Sequence, residues 1–311
     1  MSAPDLPEII DIHTHFMPQR VLDKVWAYFD SAGPLIGRPW PITYREDEGG
    51  RLAALRALGV RAFTSLNYAH RPAMAQWLND WSSEFAAKHD DVLHSATFYP
   101  EPGAADYTAA AIEAGARIFK AHVQVGDYSL ADPLLDDVWP VLERSRTPIV
   151  MHAGNGPAPG RFTGPESVRD LLQRHPGLVL VIAHMGMPDY GDFLDICAEH
   201  PDVHLDTTMA FTDFTQATSP FPRERMDDLV ALGDRVLFGS DFPNIPYPYE
   251  HAVTRSAGLA WARTGRARCC TTMLLGSSGS ADGLPRVAQL RRWDSTMPTG
   301  MLTASTSSIA R

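Results

Sequence analysis

The sequence predicts an α/β fold, a closed (β/α)8 barrel. Eight short, β-rich apolar runs recur along the chain with helical stretches between them. The runs are nearly continuous in apolar residues, as parallel strands are when both faces of the sheet are covered. Eight strand-and-helix units are the number that closes such a barrel. The expected strands are residues 8–16, 61–66, 92–98, 117–122, 148–152, 178–184, 203–207 and 236–241.

Helices are predicted where apolar residues recur at i, i+3/i+4 spacing between the runs. The clearest stripe lies in residues 72–88, and we interpret its Met and Trp side chains as core packing. His89, His175 and His200 come at the ends of helical stretches, two of them directly before proline, and are interpreted as helix-end residues. The other predicted helices are residues 50–58, 134–144, 167–174, 189–199 and 222–232.

Two long segments follow predicted strands and are expected to be functional loops. They are residues 17–48 and residues 153–165, and both come after the carboxyl end of a strand, where barrel enzymes place their sites. The Gly-Asn-Gly of the second segment is not a dinucleotide fingerprint, because prolines follow where a helix has to start.

Composition limits the class of protein. The 311 residues are 44% hydrophobic and 21% charged, as in an ordinary globular enzyme, and the net charge of −10 argues against nucleic acid and acidic membrane surfaces as partners. No apolar run reaches about 18 residues and no charged-then-apolar leader is present, so neither a membrane span nor secretion is expected. Three cysteines form no disulfide framework or zinc spacing, which fits a cytoplasmic protein. The expected partner is a small-molecule substrate, with a homodimer as a candidate assembly.

Polar side chains that suit a metal ion end several of the predicted strands. In the first run, strand alternation places Asp11, His13 and His15 on one face, where two imidazoles can bind one cation. In a closed barrel the strand ends converge on one mouth, and each unpaired polar group there costs about 1–3 kcal/mol. The sequence therefore predicts a metal site among the polar residues that end the strands, which are His13, His15, Lys120, His122, His152, His184, Asp206 and Asp241.

The order of these motifs resembles the amidohydrolase superfamily over about residues 7 to 260. More narrowly, it is similar to the amidohydrolase-related branch that contains aminocarboxymuconate semialdehyde decarboxylase. The motifs that carry the resemblance are Asp11-x-His13-x-His15, His152, Ala183-His184 and Gly239-Ser240-Asp241-x-Pro243.

The resemblance implies a role for each of these positions. His13, His15, His152 and Asp241 look like the ligands of one divalent ion, zinc or manganese. His184 looks like the residue that orients or deprotonates the water that the metal activates, and Asp241 is the second candidate catalytic group. The chemistry agrees, since a divalent cation lowers the pKa of water toward about 7 and imidazole titrates in the right range.

Lys120 leaves the number of metals open. Many binuclear amidohydrolases carry a carboxylated lysine at the end of the fourth strand, bridging two metals. Here Lys120 is followed by Ala121-His122, as in the mononuclear decarboxylase-like members, and one metal is favoured. Lys120 is then a substrate-carboxylate contact or a salt bridge at the mouth, and Lys120, His122 and Arg161 are the candidate substrate-binding residues.

The end of the chain departs from the family pattern. We predict a barrel over residues 1–265 and an atypical, disordered tail over residues 266–311, which carries six Arg against two Asp and lacks the usual terminal helix Asn-Ala-Ala-Arg-Leu-Phe-Gly-Leu. With codons chosen for residues 268–280, a shift of one base reads Leu-Leu-His-Asp-Asn-Ala-Ala-Arg-Leu-Phe-Gly-Leu. A frameshift is the favoured explanation, and a natural disordered tail is the alternative.

The expected function is hydrolysis of a C–N or C–O bond in a small carboxylated substrate through a metal-activated water. Two alternatives stay open at this stage. The first is non-oxidative decarboxylation of the aminocarboxymuconate semialdehyde decarboxylase type, which uses the same metal site. The second is an inactive product of a frameshifted gene.

Overall fold

Parallel strands form the centre of the computed structural model, which describes residues 9–257. Hydrogen-bonded ladders join the strands in the order β1-β2-β3 and β4-β5-β6-β7-β8-β9, and every pair is parallel. The bridge between Thr14 and Phe242 joins the first strand segment to the last. The predicted (β/α)8 barrel is therefore confirmed. The strands are β1 (Ile9–Asp11), β2 (Val60–Thr64), β3 (Val92–Leu93), β4 (Ser95–Thr97), β5 (Ile118–His122), β6 (Ile149–His152), β7 (Leu180–Ile182), β8 (Val203–Asp206) and β9 (Val236–Leu237).

Several strands are shorter than the sequence predicts. The expected third strand is broken at His94 into β3 and β4, and the Ser95 hydroxyl accepts a hydrogen bond from the Ser65 amide across the break. The first strand ends at Asp11, because its carboxylate accepts the His13 amide and so replaces a ladder hydrogen bond. Strand pairing resumes at Thr14, through its bridge to Phe242.

Helices surround the strands, mostly where they were predicted. Additional 3-10 turns are formed by Pro133–Leu135, Ala183–Gly186, Arg223–Arg225 and Gly233–Arg235. The α-helices are α1 (Gln19–Ser31), α2 (Gly33–Ile36), α3 (Glu48–Ala57), α4 (Ala75–Lys88), α5 (Ala104–Glu113), α6 (Val123–Gly126), α7 (Val138–Ser145), α8 (Pro165–Arg174), α9 (Tyr190–Glu199), α10 (Asp213–Gln216), α11 (Met226–Leu232) and α12 (Tyr249–Ala257).

The prediction of residues 17–48 as a loop is wrong, because this segment contains α1 and α2. Leu22 and Trp26 of α1 are buried, and its prolines and glycines stand at helix boundaries rather than throughout the segment. The second long segment is confirmed as a loop up to the start of α8 at Pro165.

The interpretation of three histidines as helix-end residues is also confirmed. His89, His175 and His200 are the C-terminal caps of α4, α8 and α9. These histidines are therefore not candidates for the polar site at the mouth.

Apolar side chains fill the barrel interior beneath the predicted site. Ile12, Ile118, Val150, Val181 and Leu237 form one buried cluster, although they come from five different strand segments. Lys120 pairs in register with Val150, a member of this cluster. The polar residues at the ends of the strands therefore lie directly next to the apolar cluster. This arrangement provides a dry floor, which strengthens electrostatic interactions above it.

Within residues 9–257, no helix combines the length and the apolar character needed to span a bilayer. The predicted domain boundary at residue 265, the tail and the proposed frameshift lie outside the described residues.

Candidate metal centre

Three ligand atoms converge at the mouth of the barrel. His13, His15 and Asp241 are all buried, and each offers one atom within 4.8 Å of the others. The His15 Nε2 atom is 2.9 Å from Asp241 Oδ1, and His13 Nε2 is 3.7 Å from the same oxygen. Backbone contact holds the two segments together, since the Asp241 amide donates to the His13 carbonyl at 2.8 Å.

Hydrogen bonds at the far side of each ring fix the two imidazoles. His13 Nδ1 is 2.9 Å from Asp206 Oδ2, and His15 Nδ1 is 2.7 Å from the Leu66 carbonyl oxygen. Both acceptors require the proton on Nδ1, so the Nε2 atom of each ring faces the site, where His13 Nε2 contacts Lys120 and His15 Nε2 contacts Asp241. This is the tautomer that a metal-binding histidine needs.

Burial and neighbouring charges set the protonation of this group. Burial and the charge of Lys120 lower the pKa of His13 to about 3, so its imidazole is neutral. Burial acts to raise the pKa of Asp206, but the contact with His13 outweighs it and holds that pKa at about 2. The pKa of Asp241 is likewise held below its usual range, because His15 and its neighbours outweigh the effect of burial. The two aspartates are therefore carboxylates at neutral pH.

Asp11 connects the two segments that carry the ligands. Its Oδ1 atom accepts the amides of His13 and Ser240, each at 3.1 Å, and its Oδ2 atom accepts the Tyr249 hydroxyl at 2.9 Å. Burial raises the pKa of Asp11 to about 7 despite these hydrogen bonds. Asp11 thus lies close to the three ligand residues, as strand alternation predicted. Its carboxylate binds the backbone amides of the two segments that carry these residues, and it is not itself one of the three ligands.

Lys120 is buried beside the ligand atoms. Its Nζ atom lies 2.9 Å from His13 Nε2, which accepts a hydrogen bond from the ammonium group. Burial lowers the pKa of Lys120 to about 8, and the nearby Asp206 and Asp241 limit that decrease. The structure thus places a cationic group directly against one of the predicted metal ligands.

His184 lies in a strained turn, not at the end of a strand as predicted. It belongs to the 3-10 turn Ala183–Gly186 and has a positive φ of 55°, which costs energy in a residue other than glycine. Asp206 Oδ1 accepts the His184 amide at 2.8 Å, and the Thr208 carbonyl lies 3.2 Å from Nδ1. These contacts aim the ring at the site, where its centroid is 5.2 Å from that of His13.

His152 is near the site but outside the group of three ligand residues. Its Nε2 atom is 3.0 Å from the Gly156 carbonyl, so the proton is on Nε2 and the lone pair is on Nδ1. The ring stacks on His122 with centroids 4.1 Å apart and lies 4.9 Å from the ring of His184. The role of His152 as a fourth ligand stays a prediction.

Arg161 lies on the exposed part of the loop after β6. Its guanidinium group is 4.8 Å from the Phe162 ring centroid. Its role in binding substrate stays a prediction, as do those of Lys120 and His122.

Two residues at the mouth were not singled out from the sequence. The ring of Tyr68, in the segment after β2, lies 5.6 Å from that of His15 and 4.9 Å from that of His122. Thr208 supplies the carbonyl that orients His184. Neither has a sequence signal, because one tyrosine in a loop and one backbone carbonyl belong to no motif.

The residues present fit a divalent cation. Two imidazole nitrogens and one carboxylate oxygen form a donor set typical of zinc and manganese sites. The Lys120 ammonium group hydrogen-bonds to His13 Nε2, so the lone pair of this nitrogen already faces a positively charged group.

Comparison with known proteins supports the same fold. The family model described as Amidohydrolase matches residues 10–260. An uncharacterised TIM-barrel protein from Bordetella bronchiseptica has 18% sequence identity and a TM-score of 0.61, with 79% of this chain and 90% of that chain covered. No curated protein matches the chain significantly.

Two further solved structures with similar folds carry names of enzymes. The structure of 5-carboxyvanillate decarboxylase LigW from Sphingomonas paucimobilis has 16% identity and a TM-score of 0.50, covering 82% of this chain and 98% of that one. A probable 2-pyrone-4,6-dicarboxylic acid hydrolase from Acinetobacter baumannii, with citric acid bound, has 13% identity and a TM-score of 0.52, covering 83% and 94%. At these identities the similarity concerns the fold.

Proposed function

The chain belongs to the amidohydrolase family, and on that premise we propose that it is a metal-dependent hydrolase of a small carboxylated substrate, acting through a metal-activated water. The observation that carries the proposal is the convergence of His13, His15 and Asp241, whose Nε2 atoms and carboxylate oxygen face one another in a buried site. The metal proposed for this site is a single zinc or manganese ion, with His152 as a further ligand.

A divalent cation at this site lowers the pKa of water and polarises a carbonyl group. The residues of the chain divide the remaining work. His184 accepts a proton, because burial lowers its pKa and keeps the imidazole neutral at pH 7, with its Nδ1 proton held by the Thr208 carbonyl. Asp206 stabilises the site as a carboxylate that contacts both the His13 ring and the His184 amide.

Substrate binding is proposed for the charged and polar groups at the mouth. The buried Lys120 side chain can donate a hydrogen bond to one carboxylate of the substrate, as an ammonium or as an amine. Arg161 and the loop after β6 are exposed at the entrance and are proposed to select the substrate.

Decarboxylation is the second candidate, and Lys120 is the observation that favours it. The loss of CO2 leaves a carbon that must be protonated, so the reaction needs an acid at the site. Lys120, with a pKa of about 8, exchanges its proton near neutral pH and lies 2.9 Å from a predicted metal ligand, so it can take up a proton and deliver it to that carbon. His184 is the base of the hydrolysis proposal, whereas Lys120 is the acid of the decarboxylation proposal.

The experiment that separates the two is a panel of small carboxylic acids incubated with zinc-loaded and manganese-loaded protein. Cleavage of an amide, ester or lactone is followed by chromatography, and CO2 release is measured in parallel. Hydrolysis that depends on metal and is lost in His184→Ala supports the main proposal. Release of CO2 without bond cleavage by water, lost in Lys120→Met, supports the second. A metal-loaded chain that is inactive across the panel contradicts both and favours the inactive product of a frameshifted gene.

A further inference from the structure

Six ring side chains form a closed circuit around the mouth of the barrel. Successive ring centroids are separated by 4.1–5.6 Å, and each member contacts the next. In order, the members are His15, His13, His184, His152, His122 and Tyr68.

In four of the five histidines in this circuit, a hydrogen-bond acceptor fixes which ring nitrogen carries the proton. In each of them one ring nitrogen lies against a backbone carbonyl or a carboxylate oxygen, which must receive an N–H. The other nitrogen is then a lone-pair donor, as metal binding or proton acceptance requires. These four are His13, His15, His152 and His184.

His122 has the opposite arrangement. It ends β5 and caps α6, and its Nδ1 atom accepts the backbone amide of Val125 at 3.3 Å. A neutral imidazole that accepts at Nδ1 carries its proton on Nε2. The ring is neutral, because an imidazolium carries a proton on both nitrogens and could not accept at Nδ1. His122 therefore presents an N–H donor where the other histidines present lone pairs.

Tyr68 is the neighbour of His122 in the circuit and is also a donor. Among the described residues, no hydrogen-bond partner is found for its hydroxyl group, while its ring is held between His15 and His122. A tyrosine hydroxyl, with an ordinary pKa of about 10, is protonated at neutral pH. The rings that carry these two neutral donors thus lie side by side, with centroids 4.9 Å apart.

We propose that Tyr68 Oη and His122 Nε2 form an anion-binding pair that holds a carboxylate or oxyanion oxygen of the substrate beside the metal centre. The pair is neutral, so it binds an anion through directed hydrogen bonds and adds no charge that repels a cation at His13 and His15. The ring-lined mouth favours a planar carboxylate. The inference rests on the proposed function only in taking this anion to be part of the substrate.

Binding of benzoate and isophthalate to the zinc-loaded, full-length protein tests the pair without turnover. Calorimetry gives Kd for wild type, Tyr68→Phe and His122→Asn, and elemental analysis gives the zinc content of each. Phenylalanine keeps the ring contacts of Tyr68 and removes only the hydroxyl. Asparagine keeps an acceptor for the Val125 amide but lacks the distant N–H donor.

The matched control is Tyr128→Phe. The hydroxyl of Tyr128 is also buried without a partner among the described residues, but its ring contacts Tyr99 instead of the histidines. Its removal is expected to leave both Kd and zinc content unchanged.

Each of the two test variants is expected to weaken benzoate binding roughly 10-fold or more, the usual effect of a hydrogen bond to a charged group, with zinc content unchanged. Unchanged Kd in Tyr68→Phe, absence of benzoate and isophthalate binding in wild type, or parallel loss of zinc would each overturn the inference. A protein that binds benzoate through Tyr68 but turns over no acid on the panel contradicts the proposed function and leaves the anion-binding pair intact.

Discussion

Replacement of Lys120 by methionine is predicted to tighten metal binding. The Lys120 Nζ atom is 2.9 Å from His13 Nε2, and a zinc–nitrogen bond measures about 2.0–2.1 Å. A zinc ion bound to that nitrogen is therefore at most about 5 Å from the ammonium group. With an effective dielectric constant of about 20, the repulsion at that distance is about 7 kcal/mol.

The chain has a less costly response, which is to release the lysine proton. With a pKa of about 8, Lys120 loses its proton at pH 7 for about 1.4 kcal/mol, or roughly 10-fold in Kd. Below pH 8 the ammonium group competes with the metal, so the apparent affinity of wild type rises with pH and levels off above pH 8. Lys120→Met is therefore expected to bind zinc about 10-fold more tightly at pH 7 and about equally at pH 9.

Competition with a chromophoric chelator at pH 6, 7 and 9 measures this difference, with the exposed Lys88→Met as the control. The advantage of Lys120→Met is expected to grow to about 100-fold at pH 6. Each pH unit below the lysine pKa lowers the apparent zinc affinity of wild type about 10-fold, because the lysine must first lose its proton. A fall in metal content from two ions to one or none in Lys120→Met would refute this reasoning. It would identify Lys120 as a ligand, as in the binuclear enzymes with a carboxylated lysine.

Three further predictions concern residues that support the centre. His184→Ala is expected to retain its metal and to lose at least ~100-fold in kcat, the scale of a general acid or base; loss of metal would make it a ligand instead. Asp11→Ala leaves three buried donors without their acceptor, at about 1–3 kcal/mol each, so denaturant titration should show a decrease of at least about 2 kcal/mol in the free energy of unfolding. Gly186→Ala places a Cβ atom 1.9 Å from the Phe193 ring and should lower Tm and activity. The control Gly37→Ala, with a similar positive φ and no heavy atom within 4 Å, should change both much less. Equal effects in the two variants would exclude the clash as the cause.

The strand and helix pattern was predictable because it depends on local periodicity. β5 and β6 match their predicted runs within one residue, since both are almost entirely buried and each begins with apolar residues. α1 was not predicted, because its apolar stripe lies between prolines and glycines that indicated a loop. A periodic segment is hard to recognise when its boundaries resemble a turn.

The candidate site was predictable in its members but not in its contacts. The Asp-x-His-x-His motif and the Ser-Asp motif indicated the convergence of His13, His15 and Asp241, which the structure shows. The contact between Lys120 and His13 depends on barrel closure, so no sequence pattern contains it. The positive φ of His184 is set by tertiary hydrogen bonds to its turn and was equally invisible.

The metal content of the purified chain tests the central claim most directly. Wild type and the His13→Ala plus His15→Ala double variant are dialysed against the same zinc and manganese buffer and measured by elemental analysis, with circular dichroism to confirm that both are folded. We predict about one divalent ion per wild-type chain and none per variant chain. Equal metal content in the two folded proteins would contradict the assignment of the centre and the hydrolase proposal that depends on it.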